Sequence, residues 1–179
     1  MNNNWIQTFT GKQFWPLDPK PEDVCIEDIA HALSMICRFN GHCNQFYSVS
    51  EHSVLVSQHV NPLFALKGLL HDASEAYISD LGKPIKKDIN GYKAIENRLQ
   101  QVIFGRFKIW NFEEDWQIKQ IDQRILVDEQ SQLMPNPPIE WSQTKDIEPL
   151  GVNIECWQPG QAKTEYIKQF NELTGINGV

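Results

Sequence analysis

From Ile26 onward, apolar residues return every three or four positions, and that period decides what this chain can become. Ile26, Ile29, Ala30, Leu33, Ile36 and Cys37 share one stripe, with Glu27, Asp28 and Ser34 outside it. The same period predicts helices over about 50–60, with Ser50 as N-cap, and from Asn61-Pro62 through "LFALKGLLHDASEAY". It returns over 92–107 (Tyr92, Ile95, Leu99, Val102 and Ile103 inward), over 112–134, and over roughly 160–173 with Ala162, Tyr166, Ile167, Phe170 and Leu173 on the stripe. The 112–134 helix carries its acids in the first turn, where the helix dipole favours them.

Ahead of the first stripe, "WIQTFTGKQFWPL" alternates around Thr10-Gly11 and reads as a short β-hairpin. Pro16, Pro19 and Pro21 make the following connector extended and non-helical. Residues 38–49 read as an ordered loop, 80–87 as turn-rich, and 135–158 as irregular. The expectation is one all-α domain over 1–179: hairpin and connector in 1–20, a helical bundle, and a C-terminal helix over 159–174. Tryptophans, notably Trp110, Trp116 and Trp157, read as core or interface anchors.

Composition narrows the function. The net charge is −7, from 16 Lys and Arg against 23 Asp and Glu, which argues against a nucleic-acid polymer as partner. No apolar run approaches the ~20 residues of a membrane span, and the N-terminus has no apolar signal core, so the expected location is cytoplasmic. The four cysteines form no C-x-x-C pair. Cys37, His42 and Cys43 amount to half a zinc site with no second pair at finger spacing.

Polar residues inside the apolar stripes carry the chemistry. His71 and Asp72 follow directly on "GLL", and Glu75 lies four residues after His71 on the same helical face. Alone, the pair reads first as a capped helix end and only second as a pair of ligands. Asp122 stands among Ile118, Ile121, Ile125 and Leu126, either as an edge carboxylate paired with Arg124 or Lys119 or as a functional group. His52 lies beside Val49, Val54 and Leu55, where a core histidine is the plain alternative. Together, two His and two Asp from three helices make a mixed N/O set suited to a divalent transition metal, with no thiolate and with open positions for water. His59, seven residues from His52, is a conceivable ligand for a second ion.

"SEHS" (50–53), "HDASE" (71–75), "D-x-x-x-P-x-K" (Asp80 to Lys86) and "IDQRIL" (121–126) together resemble the HD superfamily of metal-dependent phosphohydrolases. The resemblance covers residues 5–133 and is nearest the 5′-deoxynucleotidase branch and the phage dATP triphosphohydrolases. It implies an HD-domain helical bundle in which His52, His71, Asp72 and Asp122 hold one divalent ion (Co, Mn, Zn or Ni), with Mg added for a triphosphate substrate. It implies Glu75 as acid/base or water-orienting carboxylate, Asp80 at the sugar 3′-hydroxyl and Arg38 at the phosphate, helped by Lys83 or Lys86. Phe39 stands where the deoxynucleotidases carry a sugar-packing tryptophan, and the stretch between His52 and His71 is short. The implied activity is hydrolysis of a small-molecule deoxynucleotide, dATP or dAMP favoured, by a homo-oligomer. A phosphodiesterase on cyclic or signalling nucleotides is the alternative, and would need the extra ligands that His42 or His59 could supply.

Overall fold

The computed structural model describes residues 4–110 and 115–175. Strands β1 (Ile6–Gln7) and β2 (Gln13–Phe14) form the antiparallel hairpin, and a 3-10 turn at Pro21–Asp23 interrupts the proline connector expected to be extended. Eight α-helices follow among the described residues: α1 (Ile26–Met35), α2 (Val49–His59), α3 (Ala65–Leu69), α4 (Glu75–Ile78), α5 (Lys83–Asp88), α6 (Tyr92–Arg106), α7 (Asp115–Leu133) and α8 (Pro159–Thr174). The fold is therefore all-α with a small N-terminal hairpin. No helix among the described residues is long and apolar enough to cross a membrane. Most of the acidic first turn read for α7 lies outside the described residues, and nothing is described of the Asp115 side chain.

Two clusters of buried side chains fill the bundle. One gathers Phe14, Ile29, Leu33, Leu69, Leu70, Leu99, Ile103 and Tyr166; the other gathers Tyr47, Val56, Phe64, Ile118, Ile125, Leu133 and Ile154. Helix α2 lies between them, contributing Val49 and Val54 to the first and Leu55 and Val56 to the second. Every residue from Val49 to Ser57 is consequently buried, His52 completely. Trp110 and Trp116 are exposed, so neither anchors the core.

Several local expectations change. Asp28 and Ser34 are buried rather than outside the α1 stripe. Asp28 accepts from the Thr10 amide (2.7 Å) and hydroxyl (3.0 Å), which ties the hairpin to α1. The cap of α2 is Ser48, whose hydroxyl accepts from the Glu51 amide at 3.0 Å; Ser50 is buried and donates to the Ala162 carbonyl on α8. The turn-rich stretch after Asp80 contains α5, with Pro84 in its first turn.

The largest departure is the helix drawn through 62–77. A 3-10 turn (Pro62–Phe64) leads into α3, the chain leaves helical geometry after Leu69, and α4 starts only at Glu75. Gln100 on α6 explains the break: its side-chain amide donates to the Leu70 carbonyl (2.7 Å) and accepts from the Ser74 amide (3.1 Å). The intervening backbone tightens to i→i−3 bonds, Ala73 to Leu70 and Glu75 to Asp72. His71 and Asp72 thus stand in a turn rather than on a continuous helix face. Gly68 brings that turn close to α2. A Cβ there would come within 3.3 Å of the Ser57 Cα and 3.2 Å of Val60, so a larger residue would push α3 away.

Candidate metal centre

His52 reaches the site from the middle of α2, His71 and Asp72 from the turn between α3 and α4, and Asp122 from α7. Ligand-type atoms of His52, His71 and Asp72 all lie within 4.8 Å of one another. His52 Nε2 is 3.2 Å from an Asp122 oxygen and 3.9 Å from Asp72, and His71 Nε2 is 3.2 Å from Asp72. The structure therefore brings together all four residues singled out in the sequence.

The imidazole nitrogens divide their work in a telling way. Nδ1 of His52 contacts Glu129 at 2.7 Å, and Nδ1 of His71 contacts the Gly68 carbonyl at 2.7 Å. Carboxylate and carbonyl oxygens only accept, so these bonds place the proton of each neutral ring on Nδ1. Both Nε2 atoms are buried and form no hydrogen bond. Each neutral ring then carries a lone pair toward carboxylate oxygens a little over 3 Å away, an arrangement that repels unless a proton or a metal cation stands between. Histidine ligands held by an acceptor on the opposite nitrogen have this geometry, and the donor set fits a divalent transition ion.

The electrostatics point the same way. Burial and Arg38 act to lower the His52 pKa, yet Glu129 and Asp122 raise it above the usual value. His71 is raised to about 9, Asp72 and Asp122 outweighing burial. Asp72 is held well below the usual carboxylate range in spite of burial, chiefly by His71. The site favours positive charge, which a proton on His71 or a divalent cation can equally supply.

Beside these residues lies a cavity of about 410 Å³ whose lining includes Arg38, Phe39, Glu75, Asp80, Lys83 and Lys86, so the remaining predicted residues share one space with Asp72 and Asp122. Arg38 is less free than a simple phosphate contact: one terminal nitrogen pairs with Glu129 at 2.8 Å, the other is 3.9 Å from Asp72, and Nε is buried without a hydrogen bond. It starts a short turn in which Phe39 and Asn40 adopt φ of +55° and +51°. The Cys37 and Cys43 sulfurs touch at 3.5 Å across the base of that turn. His42 joins the cavity wall, whereas His59 is exposed with Nδ1 on the Leu55 carbonyl.

Lys86 stands among three carboxylates, 3.3 Å from Glu75, 3.0 Å from Glu96 and 4.0 Å from Asp80. One ammonium cannot compensate three charges. Glu75 is nearly fully buried and its Oε2 has no hydrogen bond. Burial, then Asp72 and Asp80, push its pKa up to about 9.

Two residues of the site escaped the sequence reading. Glu129, fully buried, accepts from the Tyr47 hydroxyl at 2.9 Å as well as meeting His52 and Arg38. It lies seven residues after Asp122 on α7, two turns on and on the same face, so its spacing was a usable signal. Gln100, which holds the His71–Asp72 turn in shape, left no such signal.

No family model matches the chain. Over 174 residues it is 35% identical to "Uncharacterized protein YfdR" of Escherichia coli (strain K12), with 97% of each chain covered. Over 117 residues it is 38% identical to "Uncharacterized protein RCAP_rcc00048" of Rhodobacter capsulatus, with 60% of each covered.

Proposed function

We propose that this chain, which belongs to the same family as the Escherichia coli protein YfdR, is a divalent-metal-dependent phosphohydrolase acting on deoxynucleotides. The observation that carries the reading is the pair of buried, unbonded Nε2 atoms of His52 and His71 facing the carboxylates of Asp72 and Asp122. Those four residues would hold the ion. When bound, a divalent transition metal supplies Lewis acidity for a phosphoryl oxygen and raises the acidity of water at neutral pH.

The remaining steps belong to the protein's own groups. Arg38, fixed by Glu129 and lining the cavity, offers its remaining terminal N–H groups to the phosphate. Glu75 keeps a proton at neutral pH and can give it to the departing 5′-oxygen. Lys86 sits beside Glu75, so that handover occurs next to a fixed positive charge. Asp80 can accept from the sugar 3′-hydroxyl, and the Phe39 ring leaves a 2′-hydroxyl no partner. A buried unpaired hydroxyl costs about 1–3 kcal/mol.

Phosphate release from deoxy- and ribonucleoside mono-, di- and triphosphates, each with Co, Mn, Zn or Ni, tests the reading. Deoxynucleotides should exceed ribonucleotides in kcat/KM by roughly ten- to a hundred-fold, and Phe39→Ala should narrow that ratio. Absence of release from every nucleotide with every metal refutes the activity. Equal ribo and deoxy rates refute the sugar pocket and bring the phosphodiesterase on cyclic or signalling nucleotides forward.

A further inference from the structure

The lining of this cavity is not all charged. Trp141, Met134 and Leu126 line it together with Phe39, and Asn40 and Gln143 line it too, the Asn40 amide lying beside Gly82 at the start of α5. Trp141 comes from the irregular segment after α7, yet its position is built. Thr144 donates its amide to the Trp141 carbonyl at 3.1 Å and its hydroxyl to Gln130 on α7 at 3.3 Å, which closes the turn that presents the indole. Trp141 is partly buried, and its ring lies 6.1 Å from that of Phe39 at an interplanar tilt of 43°. A flat group held between two parallel rings needs about 7 Å, twice a carbon–carbon contact of ~3.5 Å. These rings are too close and too tilted for a sandwich, so they offer one joint face.

Resting on the phosphohydrolase reading, we propose that Trp141, with Phe39 beside it, forms the subsite that takes the heterocyclic base of the substrate. An aromatic face supplies stacking that any base can use. Asn40 and Gln143 make no hydrogen bond among the described residues, and each amide offers one donor group and one acceptor, the pairing a base edge presents. The cavity thereby offers two kinds of lining, the polar groups of Arg38, Glu75, Asp80 and Lys86 for phosphate and sugar, and an aromatic face for a planar ring. A bare sugar phosphate fills only the first. Trp141 is thus what makes the site select nucleotides over other phosphate monoesters.

The test compares kcat/KM for dAMP with that for 2-deoxyribose 5-phosphate, which lacks the base. The wild type should favour dAMP by about five- to 150-fold, the range of one stacked base. Trp141→Ala should collapse that ratio toward one, and Trp141→Phe should keep an intermediate ratio. Gln143→Ala provides a second variant outside the indole packing should Trp141→Ala fail to fold, and it should also lower the ratio. A ratio unchanged in Trp141→Phe and Gln143→Ala, or in a folded Trp141→Ala, overturns the base subsite while leaving the phosphohydrolase intact. If the wild type hydrolyses neither compound, monophosphates are not its substrates, and the activity stands or falls with the di- and triphosphates. Calorimetry with deoxyadenosine then decides the subsite alone: binding weakened at least five-fold by Trp141→Phe or Trp141→Ala supports it, and no binding or equal binding overturns it.

Discussion

Replacing Glu129 with Gln changes one atom of a fully buried side chain and should disturb both stability and metal affinity. The carboxylate serves three donors: Tyr47 at 2.9 Å and His52 at 2.7 Å on Oε1, and Arg38 at 2.8 Å on Oε2. A glutamine can turn its oxygen to only one side. With the oxygen toward His52 and Tyr47, its NH₂ confronts the Arg38 guanidinium, whose nearest other carboxylate is Asp72 at 3.9 Å. Unpairing a buried ion pair costs about 3–5 kcal/mol. With the amide reversed, its NH₂ meets Nδ1 and drives the proton to Nε2, the atom needed for the ion. Losing such a supporting bond costs roughly 10- to 100-fold in metal affinity. Urea unfolding of the metal-free protein reads the first effect, and chelator competition the second. The stability deficit has a pH signature. Arg38 and His52 hold the Glu129 pKa below its usual 4.5 against burial, so its contribution is complete above about that pH. The gap between wild type and variant should then shrink as pH falls through the lower folded value. A Glu129→Gln protein within about 0.5 kcal/mol of wild type, and within two-fold in metal affinity, would refute this account of the residue.

Asp122→Ala should abolish phosphate release and lower bound metal measured by elemental analysis; full metal and activity would remove Asp122 from the site. Glu75→Gln should retain metal while kcat falls by about 10²–10⁴-fold. In the metal-free wild type the folded state keeps the Glu75 proton to about pH 9 against 4.5 unfolded, so stability should fall as pH rises across that window. Glu75→Gln should flatten this fall, as followed by urea midpoints at several pH values, and an unchanged pH slope contradicts the buried-proton reading.

The helical stripes were legible because burial repeats along them: Ile29, Leu33, Leu99, Ile103, Tyr166 and Phe170 all lie in the core where the period puts them. The break at His71–Asp72 was not, since the period runs through it undisturbed and the residue that opens it, Gln100, lies thirty positions away from Leu70. Ser50 looked like a cap because its neighbours permit one, but a contact to α8 claimed its hydroxyl and the cap moved to Ser48. The candidate metal set was legible because charged residues interrupt apolar faces. Glu129 interrupts the face of α7 just as Asp122 does, and the i, i+7 spacing between them was readable but not used. Trp141 could not be read, for its segment has no period and is held by bonds to its backbone.

That last arrangement has a consequence for how the protein can vary. Between Leu150 and Trp157, three side chains receive the backbone amides. Asp128 takes those of Leu150, Gly151 and Val152, Gln132 takes that of Ile154, and Glu51 takes those of Glu155, Cys156 and Trp157. The segment is thus gripped by what every amino acid except proline shares. An exposed position such as Asn153 is open to drift between species without loss of the chain path. Besides Gly151, at φ +84°, and the buried Val152 and Ile154, the constraint is carried by Glu51, Asp128 and Gln132, residues far off in sequence. In this part of the molecule, the record of the loop's shape is written in the helices.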